Sequence, residues 1–249
     1  MSIPAEAAVL LGVGVLAGIV STVASIASVV SYPALLALGL SPVSANVTNT
    51  VALMFTAVGA AAGSRPELTG QGRRVARLGL LTAAGGGAGA ALLLLTPPRG
   101  FEYVAPVLIA LGSVLILCRG RAGVPAASTP AGGWLSRAGV FAVAVYIGYF
   151  GAAGGVLMLA LLIRLFSQPL ARTNALKNVI SGLANAVAGV GFAIFGPVRW
   201  TAALPLAAGF LVGGWIGPAL VRRLPAAGLR MFVGTCGLAV AIRLGFSAY

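Results

Sequence analysis

The sequence predicts an all-α, polytopic membrane protein built from two inverted repeats, on three observations. The first is composition: 59% of the 249 residues are hydrophobic, 8% are charged and the mean hydropathy is +1.06, against roughly 25% charged residues in a soluble domain. The second is an internal duplication. A shift of 128 positions lays Asn46 on Asn174, Val51 on Val179, Gly63 on Gly191, Gly85, Gly86 and Gly89 on Gly213, Gly214 and Gly217, and Gly100 on Gly228. The third is that the first apolar stretch of each copy is too long for one span and is broken in its middle by small or hydroxyl residues.

In chain order the apolar stretches cover residues 7–40, 44–63, 75–96, 101–118, 138–166, 170–196, 200–221 and 228–246. Most match the ~20 residues of a spanning helix. The stretches 7–40 and 138–166 break at Ser21 to Ser28 and at Gly148 to Gly155. Pro42, Pro97, Pro98, Pro169, Pro197 and Pro225 punctuate segment ends, as expected of residues that cannot continue a helix. Residues 1–118 form the first repeat, 119–137 a Pro- and Gly-containing linker on the cytoplasmic side, and 138–249 the second repeat.

Charge decides how the broken stretches cross, because cytoplasmic loops collect Lys and Arg. If each were one kinked span, the sixteen basic residues would divide nine to seven, without bias. If each is a hairpin of two short helices that returns to the face it entered, thirteen fall on one face, leaving Arg99, Arg199 and Arg243 on the other. Each repeat is therefore expected to be a hairpin plus three full spans. The repeats would have opposite orientation, with both termini outside. Met1 to Leu10 carries Glu6 and no basic residue, so it lacks the n-region of a cleaved signal peptide and is expected to remain.

The composition also narrows the chemistry. The net charge of +13 is spread between apolar stretches and forms no continuous basic stripe, so a membrane rather than a nucleic acid is the expected surface. There is no His or Asp, and Cys118 and Cys236 form no CxxC pair. No metal site or disulfide framework is expected. With Glu6, Glu67 and Glu102 all near segment ends, general acid–base catalysis has almost no material, and the chain reads as neither enzyme nor cofactor binder. The glycine runs lack a P-loop lysine, which excludes nucleotide binding by that motif.

A polar stripe follows each hairpin. Asn174, Lys177, Asn178, Ser181 and Asn185 share one helix face, and Asn46, Asn49 and Thr50 do so in the first copy, with Asn49 aligned to Lys177. A charge at bilayer depth costs about 2.5–3.5 kcal/mol on insertion scales and is a functional candidate by default. Two readings stand for Lys177: a ligand for an anion, or a side chain snorkelling to the surface from about 10 Å deep. The amides and hydroxyls likewise read either as donors to an anion or as bonds between helices. At the hairpin tips, Gly151, Gly154 and Gly155 can expose backbone N–H groups or simply allow a tight turn, and Ser25 and Ser28 can bind an anion or satisfy the broken backbone. Arg164 and Arg172 read as topology anchors or as an electrostatic funnel for anions.

The second copy carries the motif Gly148-Tyr-Phe-Gly151-Ala-Ala-Gly154-Gly155, then Pro169, Thr173-Asn174, Val198-Arg199-Trp200 and Gly213-Gly214-Trp-Ile-Gly217. In order and spacing this resembles the TauE/SafE family of bacterial membrane transporters over nearly the whole chain. The resemblance implies a protein of the bacterial inner membrane that exports sulfite or an organosulfonate, with a small anion and the bilayer as its partners. The first copy departs from the family at Ser21-Thr22-Val-Ala24-Ser25-Ile-Ala27-Ser28, where hydroxyls replace a Gly-rich turn. Duplication itself points to alternating access between repeats, with an anion channel and a non-transporting scaffold as rival readings. The topology predicts that a reporter fused after Tyr249 is active only when it reports an extracytoplasmic position. A cytoplasmic Tyr249 would overturn the paired-hairpin arrangement.

Overall fold

The computed structural model describes residues 3–97, 99–101, 103, 107, 133–151 and 154–221. All regular structure among them is helical: α1 (Ile3–Ala24), α2 (Ala27–Ala37), α3 (Pro42–Gly63), the single turn α4 (Arg65–Leu68), α5 (Gly72–Leu95), α6 (Trp134–Tyr149), α7 (Gly154–Leu165), α8 (Leu170–Phe195) and α9 (Trp200–Val221). Five of these, α1, α3, α5, α8 and α9, contain windows long and apolar enough to cross a membrane. The spans expected at 228–246 and, apart from Phe101, Tyr103 and Val107, at 101–118 lie outside the described residues. Trp134 to Arg137, read as linker from the sequence, already belong to α6.

Both long stretches break where small or hydroxyl residues interrupt them. The first turns at Ser25, whose φ of +67° is left-handed, and the second turns after Phe150 at Gly151, with φ of +72°. The first arm is longer than a symmetric hairpin of short helices would have it. Helix persists through Ser21 to Ala24, which gives α1 22 residues against 11 in α2. Thr22 supports that last turn by donating its hydroxyl to Ile19 O at 2.9 Å.

Helices pack across the two halves of the chain rather than within them. Gly14 and Gly18 of α1 lie against Leu206, Gly209, Phe210 and Gly213 of α9, while Gly85 and Gly89 of α5 lie against Phe141, Ala144, Val145 and Tyr149 of α6. These are corresponding pairs under the 128-residue shift. Along both seams the contacting positions rise together, so the paired helices run parallel. The same holds for α3 on α9 (Gly59 with Leu211, Gly63 with Trp215) and for α5 on α8 (Thr82 with Ile180, Gly191 with Ala90). At the central crossing the order reverses: Gly182 of α8 meets Ala57 of α3, and Gly189 meets Met54 and Thr50. There α3 and α8, the corresponding helices of the two halves, are antiparallel.

Loops repeat this exchange at the two ends of the bundle. Arg172 Nη2 donates to Thr69 O at 2.6 Å, and Ser44 Oγ, 128 positions earlier, donates to Pro197 O at 2.9 Å. Arg74 bonds Gln168 at 2.8 Å beside the first, and Arg199 lies 3.5 Å from Glu6 beside the second. Large apolar side chains point outward, Leu80 at 78% and Leu95 at 81% exposure. That is the surface expected where the surrounding solvent is lipid.

Close approach at the glycine seams generates a stability prediction. A Cβ on Gly213 would strike the Val15 carbonyl, whereas one on Gly12 would meet nothing within 4 Å. Gly213→Val is expected to lose about 1–3 kcal/mol, the usual cost of overpacking, and Gly12→Ala to melt like the parent in detergent. Equal melting of both variants would show that the seam is not close-packed.

Candidate functional site

The turn at Ser25 and the start of α7 meet beside the α3–α8 crossing. A Cβ on Gly155 would lie 2.9 Å from Ser25 Cβ, so the two broken stretches touch there. Between them is a cavity of about 50 Å³ lined by residues of both halves, including Ser21, Ser25, Ser28, Thr56, Gly151, Gly155, Lys177, Asn178, Ser181 and Asn185. At roughly 10–15 Å³ for each water-sized occupant, it has room for about three to five heavy atoms.

Lys177 is 2% exposed. Its ammonium does not snorkel to the surface: Nζ donates to Ser25 Oγ at 2.7 Å and reaches Ser21 O at 3.5 Å, both on the first broken stretch. Asn178 Nδ2, Ser181 Oγ and Thr56 Oγ1 are buried without a protein hydrogen bond. Among the described residues the lining contains no carboxylate. Asn185 Oδ1 also lacks a partner, and rotation of its amide presents either oxygen or NH₂. Helix α2 starts at the cavity with Ala27 and Ser28, and its N-cap Ile26 supplies no side-chain bond. Its first amides therefore add partial positive charge at the same place. One lysine amine, several uncommitted donors and a helix N-terminus, with no acid among the described lining residues, make a surface whose chemistry suits a small anion.

The residues singled out from the sequence separate into two groups. Ser25, Ser28, Gly151, Gly155, Lys177, Asn178 and Ser181 line the cavity. Asn185 joins them, whereas Asn46, Asn49, Thr50, Gly154 and Asn174 lie outside the lining and serve local structure or tie helices together. Asn174 Nδ2 donates to Thr22 O at 2.9 Å and Asn46 Nδ2 to Tyr149 O at 3.0 Å. Thr50 donates to Asn46 O at 2.9 Å within its own helix, and Asn49 joins Ser28 and Ser31. Gly154 packs against the Ile147 side chain. Thr56 escaped the sequence reading although it lies seven residues beyond Asn49 on the same helix face. Its signal was the 3.6-residue period continued past Leu53.

The second turn differs from the first. Phe150 is 2% exposed and packs edge-on to Tyr32, with ring centroids 5.5 Å apart and planes at 81°, and Phe101 lies 5.7 Å from it. Phe150 occupies the position that Thr22 holds in the first copy.

Ser25 carries two effects that substitution can separate. A left-handed non-glycine residue costs about 1–2 kcal/mol, and its hydroxyl is a partner of a buried ammonium. Ser25→Gly and Ser25→Ala both remove the hydroxyl, but only glycine relieves the backbone. Ser25→Gly is expected to be the more stable of the two by about 1–2 kcal/mol in thermal melting. The reverse order would contradict the left-handed turn.

Residues 10–244 match the sulfite exporter TauE/SafE family. No curated protein and no solved structure matches the chain. A family match over nearly the whole length agrees with a helical, multi-span chain whose polar residues converge on a donor-rich cavity. The chain belongs to the sulfite exporter TauE/SafE family, one of membrane transporters rather than enzymes.

Proposed function

We propose that this protein is a secondary transporter that exports a small sulfur-containing oxyanion, sulfite or an organosulfonate, by alternating access between inverted repeats in the bacterial inner membrane. One observation carries the anion reading: the buried Lys177 ammonium beside Ser25, in a cavity with uncommitted donors and no acid among its described residues. An oxyanion with several acceptor oxygens suits this set of donors.

Inversion of the repeats is supported by the opposite directions of α3 and α8 and by the corresponding parallel seams. In this reading the cavity lies where the two hairpin tips meet, the usual location of a transporter's site. The face bearing Arg65, Arg73, Arg74, Arg77, Arg164 and Arg172 is assigned to the cytoplasm by the positive-inside rule. Both termini are then outside. The cavity's polar tip, Ser25, is held by Lys177 near the cytoplasmic end of α8, whereas the aromatic cluster of Tyr32, Phe101 and Phe150 seals the tip held by Asn46. That asymmetry suits a cytoplasm-facing state. Export of an anion runs with the membrane potential, worth about 2.3 kcal/mol per charge per 100 mV.

Binding to the folded state must raise its stability. The purified protein, tested in detergent against sulfite, thiosulfate, sulfate, sulfoacetate, taurine and chloride, is expected to show a selective rise in melting temperature with one sulfur oxyanion. Lys177→Ala should abolish it. Efflux of that anion from proteoliposomes should saturate as a carrier's does. Unsaturated, much faster flux would replace the carrier with a channel, and a flat response to every anion by a well-folded protein would favour a scaffold.

A further inference from the structure

Hydroxyls around the cavity differ from those packed elsewhere in the same helices in where their protons go. Thr22 donates to Ile19 O, Thr50 to Asn46 O and Thr82 to Ile180 O, at 2.9, 2.9 and 2.7 Å. Ser25 and Ser28 accept instead, from Lys177 Nζ at 2.7 Å and from Asn49 Nδ2 at 3.1 Å, and neither is a donor in any hydrogen bond to a described residue. Each accepts one bond from the protein side, which leaves its proton free to turn to the cavity.

The Asn49 amide is itself oriented. Its oxygen lies 2.5 Å from Ser31 Oγ and its nitrogen 3.1 Å from Ser28 Oγ. The shorter separation is the length of an O–H···O bond and the longer that of an N–H···O bond. Ser31 Oγ also lies 3.1 Å from Ala27 O, but the shorter contact assigns its proton to Asn49 Oδ1, which turns the NH₂ toward Ser28. Asn49 is 1% exposed, Ser31 is fully buried, and neither lines the cavity. Asn49 corresponds by the 128-residue shift to Lys177, so the two aligned positions perform the same task on two serines of one turn.

We propose that Asn49 is a positioning residue: through the relay Ser31–Asn49–Ser28 it turns the Ser28 hydroxyl into a fixed donor to the anion in the cavity. This inference rests on the anion-binding reading of that cavity. It gives the first hairpin's hydroxyls a role that glycine could not fill. A turn of glycines offers only backbone amides, whereas Ser25 and Ser28 add two side-chain donors whose polarity is set from α8 and α3.

The experiment is a double-mutant cycle on sulfite affinity, by titration calorimetry of the intact protein in detergent with Ser28→Ala, Asn49→Leu and the pair. Each single change is expected to weaken sulfite binding about tenfold, the order of one hydrogen bond to a charged group. The pair should bind no more weakly than Ser28→Ala alone, because Asn49 acts only through Ser28. A merely structural role would weaken binding by the same factor in both backgrounds and would overturn the inference, as would parental affinity in Asn49→Leu. Ser31→Ala provides the second variant should Asn49→Leu not fold. It frees the amide to rotate and should lower affinity severalfold, and unchanged affinity would overturn the relay. Failure of the parent protein to bind sulfite, thiosulfate or sulfate would overturn the anion reading together with the inference, whereas parental binding with insensitive variants would overturn the inference alone.

Discussion

A helix that breaks at membrane depth frees carbonyl groups that lipid cannot satisfy, and in this protein the donors come from the opposite half of the chain. Asn174 serves Thr22 O and Asn46 serves Tyr149 O, while Lys177 reaches Ser21 O as a second, longer contact beside the Ser25 N–H that already serves it. Each hairpin tip is thus held by the long helix that follows the other hairpin. The glycine seams extend the same exchange, with α9 lying on α1 and α5 on α6. Such parallel contacts at backbone distance need small residues on both sides, which is where glycine is concentrated in both copies. Neither half is a separable body. Movement of one hairpin must carry the opposite half's stripe helix with it or leave a buried carbonyl without a donor, at a cost of about 1–3 kcal/mol.

The two tips solve this shared problem with different chemistry. Ser21 and Thr22 in the first copy stand where Tyr149 and Phe150 stand in the second. Small hydroxyl residues leave space beside the first turn, and Lys177 and the Asn178–Ser181 edge of α8 border that space. Aromatic side chains fill the space beside the second, where Phe150, Tyr32 and Phe101 pack together. A duplication would begin with equal tips. Among the described residues, divergence here opens a polar cavity beside the first tip and packs aromatic rings beside the second, and it places a charged residue where the aligned position holds an amide.

Helical class, the broken stretches and the pairing of Asn46 with Asn174 were legible because they rest on local composition and a fixed sequence offset. The first break falls inside the stretch Ser21 to Ser28 read from the sequence, but its exact place after Ala24 was not legible, since it depends on Thr22 bonding back to its own helix and on a left-handed turn at Ser25. In the polar stripes, period identified the face but not the neighbour. Asn174 and Lys177 are three residues apart on one face, yet one holds a carbonyl outside the cavity lining and the other lines the cavity. Asn46, Asn49 and Thr50 form an equally regular stripe whose donors are committed to protein acceptors. Sequence periodicity carries no information on which hydrogen-bond donors remain uncommitted after packing, and in this site that difference separates glue from ligand.

Lys177 also bears on how voltage enters the proposed cycle. No carboxylate is among the described lining residues, so in the proposed cycle a protonated Lys177 would give the unloaded cavity positive charge, and a bound monoanion would offset it. A field across the membrane then acts chiefly on the unloaded state. With the inside negative, that state is drawn to face the cytoplasm, where a site for export must collect its substrate, while the neutral loaded state crosses without electrical opposition. The work per cycle is still one charge moved through the potential, but it is expended in resetting the carrier. A dianion would leave the loaded state negative and place part of the voltage dependence on the outward step. The charge of the substrate relative to one buried lysine therefore decides which half of the cycle the potential drives.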